Sequence, residues 1–160
     1  MYPGVCHSIF DKVVLMAFLE WDEKYSVGIE EIDQQHKRLF DLINKLYGTV
    51  QKVNGANDLQ SSIIELSAIL AAVDKMEDYA SYHFSTEENY MLEYSYPDYK
   101  AHKKAHDLFF ESVRKFKREI DEGKGFKLTD ILEYLKKWLT GHVLTTDQKY
   151  RKFFKKKGLS

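Results

Sequence analysis

At 160 residues the chain has the size of one compact domain and can bury a core without disulfide staples. Apolar residues make up 44% and charged residues 31%, with two prolines and eight glycines, which excludes disorder, collagen-like repeats and a loop-rich secreted scaffold. The 24 basic and 25 acidic residues leave a net charge of -1, so nothing calls for nucleic acid or an anionic membrane, and Cys6, the sole cysteine, excludes a disulfide framework and a thiolate metal cage.

Residues 1–18 read as an N-terminal extension and 19–160 as the domain itself. The apolar run from Val13 to Leu19 is too short to cross a bilayer, and Glu20-Trp21-Asp22-Glu23 after it is a poor signal-peptidase site. A cytoplasmic protein without membrane insertion is expected. The stretch before Glu31 reads as an irregular arm laid over the rest. From Glu31 to Val53, Ile32, Leu39, Phe40, Ile43, Leu46, Tyr47, Val50 and Val53 recur every three or four residues, which predicts a first amphipathic helix. Asn54-Gly55-Ala56-Asn57 is a turn, and Asn57 with Gln60 forms a capping box for a second helix. That helix carries Leu59, Ile63, Leu66, Leu70, Val73 and Met76 on its core face, continues to about Leu92, and is the longest element.

Pro97 breaks the pattern after Tyr94-Ser95-Tyr96, and a third helix follows with Phe109, Val113, Phe116 and Ile120 inward. Asp121-Glu122-Gly123-Lys124-Gly125 ends it. Thr129 is placed to cap a fourth helix, with Ile131, Leu132, Leu135, Trp138 and Leu139 inward, running on toward Phe153 and Phe154. The basic stretch from Arg151 to Lys157 is read as its solvated, frayed end. No segment reads as a strand. The fold class is therefore all-α, an up-down-up-down antiparallel four-helix bundle with an irregular N-terminal arm.

Five of the six histidines fall inside these helices, with carboxylates at short spacings. His36 lies on the stripe of Ile32, Leu39, Phe40 and Ile43 and faces the core; alone, such a histidine would be expected only to hydrogen-bond a neighbour. His83 and Glu87 are four residues apart, as are His102 and His106, so each pair projects from one helix face and can grip one centre. The first spacing by itself fits a charged surface as well. The second shares a stripe with Phe109, Val113 and Phe116, which turns both imidazoles inward. His142 continues the face of Leu135, Trp138 and Leu139, and Asp147 follows five residues later, about 140° further round a regular helix. Asp147 can reach the same centre only where the helix is overwound, bulged or loosened, and Gly141 and Thr145-Thr146 allow such an irregularity.

Together the four helices offer five imidazoles and two carboxylates, whose unpaired burial would cost several kcal/mol; a metal centre removes that cost. Seven ligands exceed the four of a tetrahedral zinc, so two metals are expected. Two bridging carboxylates and five imidazoles supply nine bonds and a shared oxygen two more, one short of the twelve that two six-coordinate metals need. The open position would take a small ligand. The ferritin-like di-iron pattern Glu-x-x-His is absent, because Asp33, Ala80, Tyr99, Lys103 and Leu139 stand three residues before the histidines. So is the His-Glu-x-x-His of zinc hydrolases, and a haem would use only one or two histidines.

The chain resembles the hemerythrins, in particular their single-domain bacterial members. The resemblance is carried by Trp21-Asp22-Glu23-Lys24-Tyr25-Ser26-Val27-Gly28, Ile32-Asp33-Gln34-Gln35-His36, His83-Phe84-Ser85-Thr86-Glu87-Glu88, the stretch from His102 to His106, and Trp138-Leu139-Thr140-Gly141-His142 to Asp147. It implies that residues 19–160 are a hemerythrin-like domain holding two iron ions per chain. His102, His106 and His142 would hold one iron, His36 and His83 the other, with Glu87, Asp147 and an oxo or hydroxo group as bridges. Dioxygen would bind reversibly at the two-histidine iron, in a pocket walled by Trp138, Leu139, Leu39 and Val143. The implied role is oxygen carriage, storage or delivery rather than catalysis, by a monomer or weak homo-oligomer. The alternative is oxygen, redox or nitric oxide sensing, or slow peroxidase or oxidase activity, at the same centre. Glu88, beside Glu87, is expected to face solvent, and His7 is assigned no metal.

Overall fold

The computed structural model describes residues 17–53, 59–122 and 127–159. Cys6, His7, the turn at 54–57 with its capping box, and the glycine turn at 123–125 lie outside them. Long helices follow the periodicity: α1 (Glu30–Val53), α2 (Leu59–Glu93), α3 (Tyr99–Asp121), and a fourth run made of α4 (Leu128–His142), a π-helical turn (Val143–Asp147) and α5 (Gln148–Lys156). Among the described residues there is no strand. α1 packs against α2 and α4, and α3 packs against the same two.

The direction of each helix can be read from its order of buried residues. Two apolar clusters flank a layer of buried polar side chains. The larger contains Leu39, Phe40, Phe84, Phe109, Leu139 and Val143, the smaller Ile32, Met91, Tyr150 and Phe154, with Tyr99 packed against it. α1 passes from the smaller cluster at Ile32 through His36 to the larger at Leu39. α2 runs from the larger through Glu87 to Met91, α3 from Tyr99 through His102 to Phe109, and the fourth run from Leu139 through Asp147 to Tyr150. Each helix reverses the one before it, which is the up-down-up-down antiparallel bundle.

The arm before α1 is tied down by polar contacts. Asn44 exchanges two hydrogen bonds with the backbone of Leu19, at 2.9 and 2.8 Å. The buried Asp33 carboxylate accepts from Ser26 Oγ at 2.6 Å and from the Val27 amide at 2.7 Å. Gly28 between them has φ +77°, a left-handed conformation that a side chain would strain. Contacts reach back to Phe18, whose ring stacks on Tyr47 at 4.6 Å and whose carbonyl accepts from Lys136 Nζ.

α2 ends in a Schellman turn. Ser95 adopts φ 55°, the Tyr96 amide donates to Met91 O at 2.7 Å, the Ser95 amide to Leu92 O at 3.2 Å, and Pro97 follows. Three local expectations fail. Ile63 is 58% exposed, and the buried stripe of α2 starts at Ile69 and proceeds through Val73, Met76 and Ala80. Thr129 lies inside α4 rather than at its cap, which is Lys127, without a side-chain hydrogen bond. The basic C-terminal stretch keeps its charged side chains in solvent as expected but is not frayed: it forms α5 and buries Phe154. No helix among the described residues is long and apolar enough to cross a membrane.

Candidate metal centre

Between the two clusters, His36, His83, Glu87, His102, His106, His142 and Asp147 are all buried. The regular helices place six of these on inward stripes. Asp147 needs the π-turn that begins immediately after His142: bonding over five residues instead of four lowers the twist per residue and swings Asp147 back toward His142. His142 Nε2 then lies 3.1 Å from Asp147 Oδ1.

The carboxylate oxygens sort the histidines into two groups. Glu87 Oε1 lies 3.7 Å from His36 Nε2 and 3.6 Å from His83 Nε2, while Glu87 Oε2 lies 3.3 Å from His102 Nε2 and 3.2 Å from His106 Nε2. Asp147 divides in the same way: Oδ2 is 3.4 Å from His36, and Oδ1 is 3.6 Å from His102 and 3.1 Å from His142. The donor atoms of His36, His83 and Glu87 lie within 4.8 Å of one another, as do those of Glu87, His102, His106 and His142.

Most of these donors lack hydrogen bonds. His36 Nδ1 and Nε2, the Nε2 atoms of His106 and His142, and both Asp147 oxygens are buried without a hydrogen-bond partner. Each such atom would cost about 1–3 kcal/mol, so a folded chain needs something to satisfy them. Nitrogen and oxygen donors converging without a thiolate fit a divalent or trivalent transition metal, and they fit one in each group.

Protonation in the metal-free chain follows from burial against the carboxylates. Burial lowers the pKa of His36, but Asp147 and Glu87 outweigh it and raise the value to about 9. Burial likewise opposes protonation of His106, and Glu87 and Glu88 raise it to about 9. His83 is dominated by burial and falls to about 3. Asp147 is pushed up by burial and Glu87, yet His142 and His36 hold it at about 2.

Several contacts around the centre are not marked by spacing in the sequence. His83 Nδ1–H donates to Gln35 Oε1 at 3.0 Å, and His106 Nδ1–H to Glu88 Oε1 at 3.0 Å. Glu88 is therefore not the solvent-facing residue expected; its side chain is 17% exposed and lies against α3. The fully buried Tyr150 donates to Glu87 Oε1 at 2.5 Å, and burial with Asp147 and Glu87 nearby pushes its phenol pKa well up. Phe84 stacks on His106 at 3.8 Å and Trp138 on His142 at 4.4 Å.

On the side of the larger cluster a narrow cavity of about 10 Å³ is lined by Leu39, Ile43, Met76, Ala80, Phe84, Phe109, Leu135, Trp138 and Leu139. Leu39, Trp138 and Leu139, three of the residues expected to wall a ligand pocket, line this cavity. Val143 is buried in the same cluster but does not line the cavity. A space of that size takes about one water-sized molecule.

Comparison with known proteins agrees with this arrangement. Residues 27–153 match the hemerythrin HHE cation binding domain. Bacteriohemerythrin of Clostridium acetobutylicum is 28% identical over 131 residues, 81% of this chain and 96% of that protein. Bacteriohemerythrin of Pseudomonas aeruginosa is 32% identical over 137 residues, 84% and 80% of the two chains. Myohemerythrin of Sipunculus nudus is 31% identical over 131 residues, 82% and 89%. The crystal structure of wild-type hemerythrin superposes with a TM-score of 0.71 at 27% identity, covering 84% of this chain and 95% of that one. A metal-binding cluster of histidines and carboxylates, in a four-helix bundle that matches the family's domain over most of its length, makes this chain a member of the hemerythrin family.

Proposed function

We propose that the chain binds dioxygen reversibly at a non-haem di-iron centre and serves in oxygen carriage, storage or delivery. The observation that most supports this is the sorting of oxygens: one oxygen of Glu87 and one of Asp147 face His36, with His83 beside it, and the other two face His102, His106 and His142. In this reading His36 and His83 would hold one iron and His102, His106 and His142 the other, with Glu87 and Asp147 offering an oxygen to each. Bound iron would supply the reversible redox chemistry that dioxygen binding needs.

The remaining work falls to the chain itself. The half with two histidines has one imidazole fewer and so offers the open position. The cavity on the apolar side of the layer, lined among others by Phe84 and Trp138, which stack on His106 and His142, admits about one water-sized molecule. Its aliphatic and aromatic lining keeps out water and protons, and thereby slows the irreversible escape of reduced oxygen. Tyr150 holds its phenolic proton on Glu87 Oε1 and orients that carboxylate.

The test is the visible spectrum of anaerobically reduced, iron-loaded protein before and after air and again under argon, with iron counted per chain. Two irons and a charge-transfer band that appears in air and fades under argon are expected. One iron, or an oxidised spectrum that argon cannot reverse, would replace this reading with a sensor or an oxidase.

A further inference from the structure

The two halves of the centre differ in what stands behind their histidines. His83 Nδ1–H meets a neutral group, the amide oxygen of Gln35, whose own Nε2 donates to Thr86 Oγ1 at 3.4 Å. His106 Nδ1–H meets a charged group, the Glu88 carboxylate, at the same distance of 3.0 Å. Glu88 Oε2 is in turn 3.5 Å from Lys103 Nζ, which is anchored 3.0 Å from Asp107. Phe84 lies face to face with the His106 ring, their planes 4° apart.

A histidine that gives Nε2 to a metal keeps its proton on Nδ1, and the acceptor that Nδ1–H finds sets both the orientation and the basicity of the ring. A carboxylate makes the imidazole a stronger donor than an amide does, because its negative charge stabilises positive charge on the far side of the ring. On the di-metal reading above, we propose that Glu88 is a positioning residue for the three-histidine half: it turns His106 Nε2 toward Glu87 Oε2 and favours the more oxidised metal there. Gln35 performs only the orienting part for His83. The two halves are thus built unequal by a carboxylate behind one histidine and an amide behind the other.

The test begins with Zn²⁺, which keeps it independent of oxygen chemistry. Metal-free parent, Glu88→Ala, Glu88→Gln and Gln35→Glu proteins are titrated with Zn²⁺ against a chromophoric chelator, and the midpoint potentials of their iron-loaded forms are measured. Glu88→Ala is expected to weaken one of the two Zn²⁺ ions about 10- to 100-fold and leave the other unchanged. In the zinc-loaded parent the His106 Nδ1–H proton should exchange slowly with water, and in Glu88→Ala rapidly. Glu88→Gln keeps an acceptor and should recover most of the zinc affinity while raising the midpoint potential; Gln35→Glu should lower it. Unchanged zinc affinity in Glu88→Ala, or a Glu88→Gln potential equal to that of the parent, overturns the proposal. If these shifts occur in a protein whose air spectrum is irreversible, the oxygen-binding reading fails and this one stands; a reversible parent with indifferent Glu88 variants gives the converse.

Discussion

The two faces of the histidine layer are packed with different chemistry. On one side lie Leu39, Ile43, Met76, Ala80, Phe84 and Leu139, which line the small cavity together with Trp138, whose indole N–H is the one hydrogen-bonding group in that lining. On the other side the packing is rich in tyrosine: Tyr96 and Tyr150 are buried, with Tyr90, Tyr94 and Tyr99 around them. Tyr150 extends its hydroxyl into the layer to reach Glu87. A neutral diatomic ligand needs a dry approach, and a buried carboxylate needs a donor. The bundle separates the two requirements onto opposite faces, with Glu87 at the boundary.

The largest expected effect comes from removing that boundary. Glu87 lies within 3.7 Å of the imidazoles of His36, His83, His102 and His106 at once. Glu87→Ala should weaken metal binding by at least about 100-fold and leave fewer than two irons per chain after gel filtration. Retention of two irons would show that Asp147 alone suffices to join the halves.

A second prediction uses the protons in the layer. In the metal-free chain His36 and His106, with pKa values of about 9, carry protons at pH 7, whereas His83, at about 3, does not. A metal must displace those protons, so loading at pH 7 should release about two of them per chain, and apparent affinity should rise with pH until about pH 9 and then level off. The sign follows because the free state binds more protons than the loaded one; falling pH therefore favours the free state. Proton release on adding Zn²⁺ in weak buffer with an indicator dye measures it. Release that stays at two protons above pH 9 would place the protons elsewhere.

Much of this arrangement is legible in the sequence, and what is not has identifiable causes. Periodicity located α1, α3 and α4 because each has a single apolar stripe, with His36, His102, His106 and His142 set into it. It misplaced the start of the α2 core because Ile63, Ile64, Leu66, Ile69 and Leu70 are apolar on all sides, so several phases fit; only from Ile69 onward does one face win. The five-residue step from His142 to Asp147 called for a loosened helix, and the π-turn is there. Glu88 was misread because its exposure depends on α3, which lays Lys103 and His106 over that face of α2. Tyr150 does carry a signal in the sequence: it sits three residues after Asp147 and four before Phe154, on one helical stripe.

On the apolar face, Leu139→Ala should cost about 2–5 kcal/mol of stability, because the cavity it lines already exists and would enlarge rather than collapse. On the oxygen-binding reading, the iron-loaded variant should keep its metal and lose its air spectrum faster than the parent, as water gains access. Thermal unfolding and the decay of the air spectrum report the two effects. A variant that loses stability but decays at the parent's rate would show that dryness on this face does not protect the bound oxygen.

On the tyrosine face the expected effect is smaller. Tyr150→Phe keeps the ring packed between Tyr96 and Phe154 and removes only the hydroxyl that donates to Glu87 Oε1. The metal-free protein should lose about 1–3 kcal/mol, the cost of leaving a buried carboxylate one donor short. In the metal-loaded protein that loss should shrink, because a metal bound at the same oxygen supplies positive charge in place of the phenol. Comparing melting temperatures of parent and variant with and without Zn²⁺ therefore separates the two contributions. An equal loss in both states would mean that Tyr150 acts through packing alone, and that the division of labour between the two faces ends at the edge of the carboxylate.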